Sequence, residues 1–289
     1  MPSANKSNLI RSSAQATAAA KFEAENPQTW GRVFAAEFRR IILRPGVLIA
    51  VGVFVLAALG ATLVGMFVME WASQAGADMG ADVVAPTFTG FGMPVSLLSF
   101  AMSLLCVSST SRDYSDGAAA ASLVVVPRRG RLVTARMAIW AATTFVVSLV
   151  TFLLVMVVQI PRIDNVAQTI ASALCSSVAC VVLVMVGFAC ATVFRRGAFS
   201  MLVFLGLDLI IPTGLSIGAA FAPGAVQEIL GFVSKVLPGR AVETFADVST
   251  LHSAASGDWV FGAVAAVAWL VAALVASYVS FSRYAGASD

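Results

Sequence analysis

Asp208 is the only acidic residue within the apolar stretch 199–221, where a carboxylate is costly to bury. Pro212 follows four residues later and lacks the N–H that would bond the carbonyl of residue 208. We therefore expect the helix to be kinked or opened there, with a freed carbonyl beside the carboxylate. The arrangement suits either proton transfer or a hydrogen bond to a neighbouring helix or polar cavity. The hydrogen bond is favoured, because proton relays chain several ionisable groups.

Residue types that support catalysis are otherwise scarce. The single histidine, His252, has no companions of the kind that a metal site or an intramembrane serine protease needs. The sequence also lacks a GxxxxGK[ST] phosphate loop. Cysteines, interpreted as small packing residues, all fall in apolar stretches: Cys106, Cys175, Cys180 and Cys190. We expect no catalytic residue, metal site or cofactor on this chain, and no nucleic-acid partner.

The composition is that of a membrane protein, with 59% hydrophobic and only 11% charged residues. A bilayer core takes about 20 apolar residues per spanning helix. The sequence therefore predicts an all-α integral membrane protein with six transmembrane helices. The expected spans are about 47–69, 91–110, 137–160, 166–194, 199–221 and 259–281, in a membrane domain of residues 46–283.

Lysine and arginine lie mostly on one side of these spans. Of the 18 such residues, all but Arg162, Lys235 and Arg240 fall in the N-terminal region, the connections between spans two and three or four and five, and the C-terminus. The positive-inside rule then predicts cytoplasmic termini for a multi-pass protein of the plasma membrane. Residues 1–26, which lack the apolar core of a signal peptide, and residues 284–289 are expected to be cytoplasmic tails, the first of them disordered.

The segment 27–45, which precedes the first span, predicts an amphipathic helix lying in the membrane plane. Asn26 suits its N-cap and Pro45 its end. Its apolar stripe comprises Trp30, Val33, Phe34, Phe38, Ile41 and Ile42, with Arg32 and Arg39 on the opposite face. Glu37 lies at the margin of the stripe and needs a partner, for which Arg40 and Arg44 are nearest.

Two features near the fifth span concern helix packing. Gly214 and Gly218 belong to a ladder of small residues that lets helices approach closely, within one subunit or between two. The connection 222–258 holds two helix-like segments separated by Pro238-Gly239. Two short helices dipping into the outer leaflet and a folded extracellular cap both fit this pattern.

The longest charged segment between spans is 111–136, which reads SRDYSDGAAAASLVVVPRRGRLVTAR. Its Ala-rich half predicts a short helix that Pro127 ends just before a group of arginines, namely Arg128, Arg129 and Arg131. A helix held at the membrane surface and followed by basic residues can receive force from a soluble partner.

Together these parts resemble an ABC-transporter permease of the type-two exporter class, over residues 27 to 282. The resemblance rests on FRRIILRP before the first span, on the Leu237-Pro238 connection and on the 111–136 segment. In that segment the matching positions are Asp113-Tyr114, Gly117 and Pro127-Arg128-Arg129-Gly130-Arg131. Asp113 stands where glutamate is commoner in the family.

This resemblance implies a partner, because it places ATP and Mg on a separate ATP-binding cassette subunit. Residues 27–44 and the loop helix 112–126 would dock on that subunit, and a second permease subunit, identical or different, would complete the path through the bilayer. The implied coupling residues are Glu37, Arg40, Arg112, Asp113, Tyr114, Gly117, Arg128 and Arg129. The implied path or dimer interface includes Asp208, Pro212, Gly214 and Gly218.

The alternative is a secondary transporter or channel that works alone and uses Asp208 in a broken fifth span. Against it stand the absence of repeated halves and of further charge within the spans.

Overall fold

The computed structural model describes residues 30–74, 92–116, 129–160, 165–248 and 256–286. Within these ranges the chain is helical and contains no strand. The helices are α1 (Trp30–Ile41), α2 (Pro45–Gln74), α3 (Gly92–Ser115), α4 (Arg129–Gln159), α5 (Val166–Phe194), α6 (Gly197–Leu205), α7 (Ile211–Phe221), α8 (Ala225–Val236), α9 (Pro238–Ala246) and α10 (Ser256–Gly286).

Six helical segments are long and apolar enough to cross a membrane, which confirms the predicted all-α membrane architecture at that level. They are Pro45–Val68, Pro94–Ser115, Leu132–Gln159, Val166–Phe194, Gly197–Phe221 and Gly257–Phe281. Several helices extend beyond the expected spans. α2 begins at Pro45, where the preceding helix was expected to end, and α10 continues to Gly286. α3 continues to Ser115, and α4 already begins at Arg129, so the arginines at its start are part of the helix rather than of a loop.

The fourth span, α5, forms the centre of the bundle. It packs against α3, α4, α9 and α10, and 78% of its most apolar 18-residue stretch is buried. Because it is apolar on every face, it can be surrounded by other helices. At Gly187 a Cβ atom would lie 3.3 Å from the carbonyl oxygen of Ser103 on α3, so a small residue permits this close approach.

Where α5 ends, it is tied to the last span. Arg195 caps α5 in the left-handed conformation, with φ 57°. Its Nη2 donates to the carbonyl of Ser280 at 2.9 Å, and the Ser280 hydroxyl donates to the Thr192 carbonyl at 2.9 Å. The C-terminal parts of α5 and α10 therefore lie side by side at this end of the bundle.

The fifth span is built from α6, a π-helical turn (Gly206–Ile210) and α7. Within the turn, the Ile211 N–H donates to the Gly206 carbonyl five residues back. Pro212 follows directly and cannot donate to the Asp208 carbonyl. The wide turn is the interruption that the sequence predicts beside Asp208.

Helices α8 and α9 form a hairpin, here called the re-entrant hairpin (Ala225–Ala246), which folds back along the fifth and sixth spans. The Ser234 hydroxyl donates to the Pro212 carbonyl at 3.3 Å. The indole Nε1 of Trp269, at the middle of the sixth span, donates to the Val236 carbonyl at 2.7 Å. The described residues 222–248 thus form two helices packed beside the fifth and sixth spans, which is compatible with the helices dipping into the outer leaflet that the sequence allows.

Candidate functional site

The end of the bundle where α1, the last turn of α3 and the first turns of α4 meet is here called the basic end. Four charged side chains lie together there and form what we call the ionic ring: Glu37, Arg40, Asp113 and Arg136. Glu37 and Arg40 come from α1, Asp113 from α3 and Arg136 from α4. The ring therefore joins three helices that are far apart in the sequence.

Charges alternate around the ring, and each carboxylate contacts two arginines. Arg136 Nε donates to Glu37 Oε2 at 3.1 Å, and Arg40 Nη1 lies 3.4 Å from Glu37 Oε1. On the other side, Arg40 Nη2 donates to Asp113 Oδ1 at 2.9 Å. Arg136 Nη1 closes the ring at 3.5 Å from Asp113 Oδ2. Two positive and two negative charges make the ring formally neutral.

Three of the four side chains of the ring are removed from solvent, and the Arg40 side chain is 26% exposed. Glu37, Asp113 and Arg136 are 7%, 5% and 3% exposed. Removing one partner from such a pair typically destabilises a protein by about 3–5 kcal/mol, because the remaining charge stays buried without compensation. The alternation of charge explains why these groups tolerate burial. Arg44, which is exposed, adds a longer contact of 3.8 Å to Asp113 Oδ1.

The sequence prediction that Glu37 needs a partner is supported, but its partners differ in part from those expected. Arg40 contacts Glu37, whereas the described contact of Arg44 is with Asp113. Arg136, which the sequence analysis did not select, makes the shorter contact with Glu37. The sequence does contain an indication that Arg136 is paired. It lies directly before the apolar run that begins at Met137, and an arginine there needs a counter-charge.

The apolar stripe of α1 divides into two parts. Val33, Ile41 and Ile42 are buried against the bundle. The rings of Trp30 and Phe34 stack at 5.2 Å, and Trp30 and Phe38 remain 46% and 36% exposed. One part of the stripe therefore holds α1 on the protein, and the other leaves an aromatic surface outside it.

The remaining coupling residues expected from the sequence lie near the ring where they are described. Arg112 is exposed at the end of α3, and Tyr114 is half-buried against the core. Gly117 and Arg128 lie outside the described residues. Arg129 begins α4, and its side chain is likewise outside them.

A second polar group, here called the mid-span cluster, comprises Ser96, Asp208, Arg240 and Glu243. Arg240 Nη1 donates to Glu243 Oε2 at 3.1 Å. The Ser96 hydroxyl donates to Glu243 Oε1 at 3.4 Å. The carboxylates of Glu243 and Asp208 lie near enough to repel each other. The cluster thus brings the second span and α9 together beside the fifth span.

Gly239 brings the re-entrant hairpin into contact with Asp208. A Cβ atom at Gly239 would lie 2.6 Å from the Asp208 carbonyl oxygen and 2.8 Å from its Oδ1, both too close for a side chain. The N-terminal end of α9 therefore abuts the carboxylate, and its helix dipole favours a negative charge there. In the sequence, Pro238-Gly239 indicates only the separation of two helices.

The other residues expected at the path or interface do not share one environment. Pro212 is buried, and its carbonyl accepts from the Ser216 hydroxyl at 2.8 Å. Gly218 faces α8, with the position of a Cβ 3.6 Å from Leu230 Cδ1. Gly214 has open space at its Cβ position. Of the pair, only Gly214 therefore leaves room for a helix outside this chain.

The position of Asp208 along the bundle follows from a contact at the start of the fifth span. A Cβ at Gly197 would lie 3.7 Å from Ser111 Cβ, which sets the start of the fifth span near the basic end. Asp208 follows 11 residues later, about 16 Å away at ~1.5 Å per residue. That is about the middle of a hydrocarbon core of ~30 Å.

Glu243 lies somewhat further from the basic end. Its neighbour Val242 packs in a small core with Ala266 on α10. Ala266 precedes Ser280 by 14 residues, which is about 21 Å of helix. Ser96, which bonds Glu243, is the third residue of the second span, and a Cβ at Gly262 near the start of the sixth span would lie 2.9 Å from Thr244 Cβ. Arg240 and Glu243 therefore lie towards the ends of the spans opposite the basic end.

The sequence was compared with protein-family models and with curated proteins. No protein-family model matches the chain, and no curated protein matches it closely enough to count as related. Among the described residues, no group of three or more His, Cys, Asp and Glu side chains is placed to hold a metal ion.

Proposed function

We propose that this chain is the membrane subunit of an ATP-driven ABC exporter. The observation that carries the proposal is the ionic ring, which fastens α1 to the ends of the second and third spans at the basic end. Segment 117–128 connects those two spans, so a force applied to it is delivered to a stiff three-helix unit rather than to separate helices. A chain that works alone has no need of such a platform.

The orientation follows from charge. The ring, Arg112, Arg195 and Arg196 all lie at the basic end, in agreement with the excess of lysine and arginine there. The positive-inside rule then puts the basic end and both termini in the cytoplasm of a cell whose plasma membrane holds the protein. This is the side on which ATP is present.

The ring carboxylates act as positioning residues rather than direct docking contacts. Because Glu37 and Asp113 are buried, they hold α1 and α3 in register. The docking surface consists of exposed groups around them, including Arg32 and Arg39 on α1 and Arg112 on α3, together with segment 117–128.

The mechanism is a two-state switch driven by the partner. ATP binding brings the two ATP-binding subunits together and pushes the loop after α3. The three-helix unit joined by the ionic ring transmits this displacement to the second and third spans. The ATP-bound partner stabilises one of two membrane conformations, which is the differential binding that any such switch needs. Two membrane subunits enclose the path, with the second and fifth spans on its sides. ATP and Mg stay on the partner.

The test is reconstitution with the ATPase. The full chain is co-expressed with a candidate phosphate-loop ATPase, purified in nanodiscs, and assayed for co-elution and for ATPase stimulation. Replacing residues 117–126 by a Gly-Ser linker, with the ring intact, should abolish both. Glu228→Gln, which removes an exposed charge from α8 on the opposite side, should change neither.

Two outcomes would sink the proposal. One is an ATPase that still binds and is still stimulated after the linker replacement. The other is uphill solute transport by the purified chain alone in sealed vesicles under a proton gradient. That second result would favour a secondary transporter, whose structural support is the carboxylate of Asp208 in the π-helical turn.

A further inference from the structure

The two helices of the re-entrant hairpin are held in the bundle to very different degrees. α9 packs against α5 and α10, and its residues Ala241 and Val242 are fully buried. A Cβ at Gly262 on α10 would lie 3.1 Å from the Ala241 carbonyl oxygen, so these two helices are in close contact. In α8, by contrast, only Ser234 is buried. The hairpin thus has one fixed helix and one peripheral helix.

The fifth span is divided in the same way. α6 packs against α3 and α5, whereas α7, among the described helices, packs mainly against α8. Pro212 is the only buried residue of α7. Its carbonyl accepts hydrogen bonds from the hydroxyls of Ser216 in α7 and Ser234 in α8, at 2.8 and 3.3 Å. α7 and α8 therefore form a two-helix unit outside the main bundle, here called the flap (Ile211–Val236).

Both ends of the flap join the bundle at the same place. The flap begins directly after the π-helical turn (Gly206–Ile210). It ends at Leu237, whose extended backbone, with φ −66° and ψ 148°, separates α8 from α9. Asp208 in the turn lies against Gly239, two residues after Leu237. Helices bend at π-turns and at proline-associated breaks. Two such points side by side make a hinge for the helices between them.

Three side-chain contacts connect α8 to the sixth span: Trp269 with the Val236 carbonyl, Phe232 with Phe261, and Lys235 with Asp258. They comprise one hydrogen bond, one pair of aromatic rings and one ion pair with both side chains more than half exposed. Each is a weak interaction when taken singly. The flap can therefore separate from α10 without disturbing the packing of α9.

We propose that the flap is a gate, which swings as one unit about the contact between Asp208 and Gly239 and moves away from α10 while α9 stays in the bundle. Its exposed residues are apolar, such as Ile217 and Ile229, as movement within lipid requires. The gate opens on the side of the membrane opposite the basic end. In the proposed exporter it is the exit, and that role rests on the proposed function. The motion itself requires neither ATP nor the partner.

The decisive experiment measures distances between spin labels on the full chain in nanodiscs, without ATPase. The four native cysteines are replaced by alanine. One label pair joins Glu228 in α8 to Val275, an exposed position well along α10. The reference pair joins Glu243 in α9 to the same Val275. We expect two distances for the pair that includes Glu228 and a single distance for the reference pair.

Two tryptophan variants give a matched comparison. Trp269→Phe removes the indole donor to the Val236 carbonyl on α8, and Trp259→Phe removes the equivalent donor to the Phe245 carbonyl on α9. Trp269→Phe should raise the ratio of the open to the closed population about fivefold, the size expected for loss of one hydrogen bond. Trp259→Phe should leave this ratio within about twofold of the parent, because α9 does not move.

Phe232→Leu removes the ring contact with Phe261 and should shift the populations in the same direction as Trp269→Phe. This second variant keeps the test informative if Trp269→Phe lowers the yield of folded protein. All variants are compared at equal elution volume in size-exclusion chromatography.

The proposal is overturned by any of three results. The first is a single distance from Glu228 in both the parent and the variants that loosen α8. The second is an equal response to Trp269→Phe and Trp259→Phe. The third is a reference pair that moves together with the flap. Failure of ATPase co-elution with two distances intact would remove the exporter proposal alone. Intact ATPase stimulation with an immobile flap would remove only the gate.

Discussion

The ionic ring and the mid-span cluster contain the same types of charged side chain but differ in their exposure to solvent. Both combine carboxylates with arginine, and both join helices from distant parts of the sequence. The ring is closed and formally neutral, with each carboxylate held between two of its arginines, and all its members but Arg40 are buried. In the cluster, the paired side chains of Arg240 and Glu243 are 49% and 44% exposed. A buried closed network fixes helices to one another, whereas an exposed ion pair is solvated and contributes little to stability.

The largest effect is expected from opening the ring. Arg136→Gln leaves Glu37 and Asp113 buried with one counter-charge fewer, which should cost about 3–5 kcal/mol. A strong fall in the midpoint of thermal unfolding in detergent measures it. Arg112→Gln, at an exposed position on α3, is the control and should shift the midpoint little. Similar midpoints for the two variants would mean that the ring does not stabilise the fold.

Restoring neutrality should recover part of this loss. Glu37→Gln combined with Arg136→Gln leaves one arginine and one carboxylate in the ring, so the double variant should be more stable than Arg136→Gln alone. A coupling of about 0.5–3 kcal/mol is the range for groups in one network. The comparison of unfolding midpoints for the two singles and the double tests it. Additive losses would contradict a ring governed by charge balance.

An intermediate effect is expected where the hairpin meets Asp208. Gly239→Ala forces a Cβ into the space beside the Asp208 carbonyl and should destabilise by about 1–3 kcal/mol, the usual range for overpacking. Gly231→Ala in α8 has open space at its Cβ position and should be neutral or stabilising by up to about 1 kcal/mol. Thermal unfolding of both variants compares them. Equal midpoints would show that the hairpin moves away from Asp208 without loss.

The smallest effect is expected at an exposed ion pair. Lys235 Nζ lies 3.1 Å from Asp258 Oδ1, and both side chains are more than half exposed. Lys235→Gln should therefore change stability by less than about 1 kcal/mol. Unfolding midpoints at low and high salt should stay close to those of the parent. A loss of stability as large as that of Arg136→Gln would show that this exposed ion pair stabilises the protein as much as the ionic ring does.

Local patterns in the sequence were enough for the spans and for part of the ring. Continuous apolar runs located the six helices, and the position of Glu37 on an apolar stripe indicated that it needs a nearby arginine. Its pairing with Arg136, 99 residues away, depends on how α1 and α4 are rotated against each other. No local spacing contains that information.

The same limit applies to the mid-span cluster. Pro212 indicated an interrupted helix around Asp208. The depth of the re-entrant hairpin, however, is set by contacts such as Trp269 with Val236, which form only in the packed bundle. Pro238-Gly239 looked like an ordinary turn, and its close approach to Asp208 is visible only once three segments are assembled. The coupling roles of Gly117 and Arg128, which lie outside the described residues, stay predictions.

The bond from the Trp269 indole to the Val236 carbonyl has a consequence for biogenesis. Trp269 is synthesised 33 residues after Val236, at the midpoint of the final span. While the ribosome is still making that span, the carbonyl at the tip of the hairpin lacks this donor in a layer that offers no water. The hairpin can therefore complete its hydrogen bonds only once the last helix has entered the membrane. A nascent chain truncated before Trp269 should keep residues 225–246 accessible to a water-soluble thiol reagent at introduced cysteines, and the completed chain should protect them.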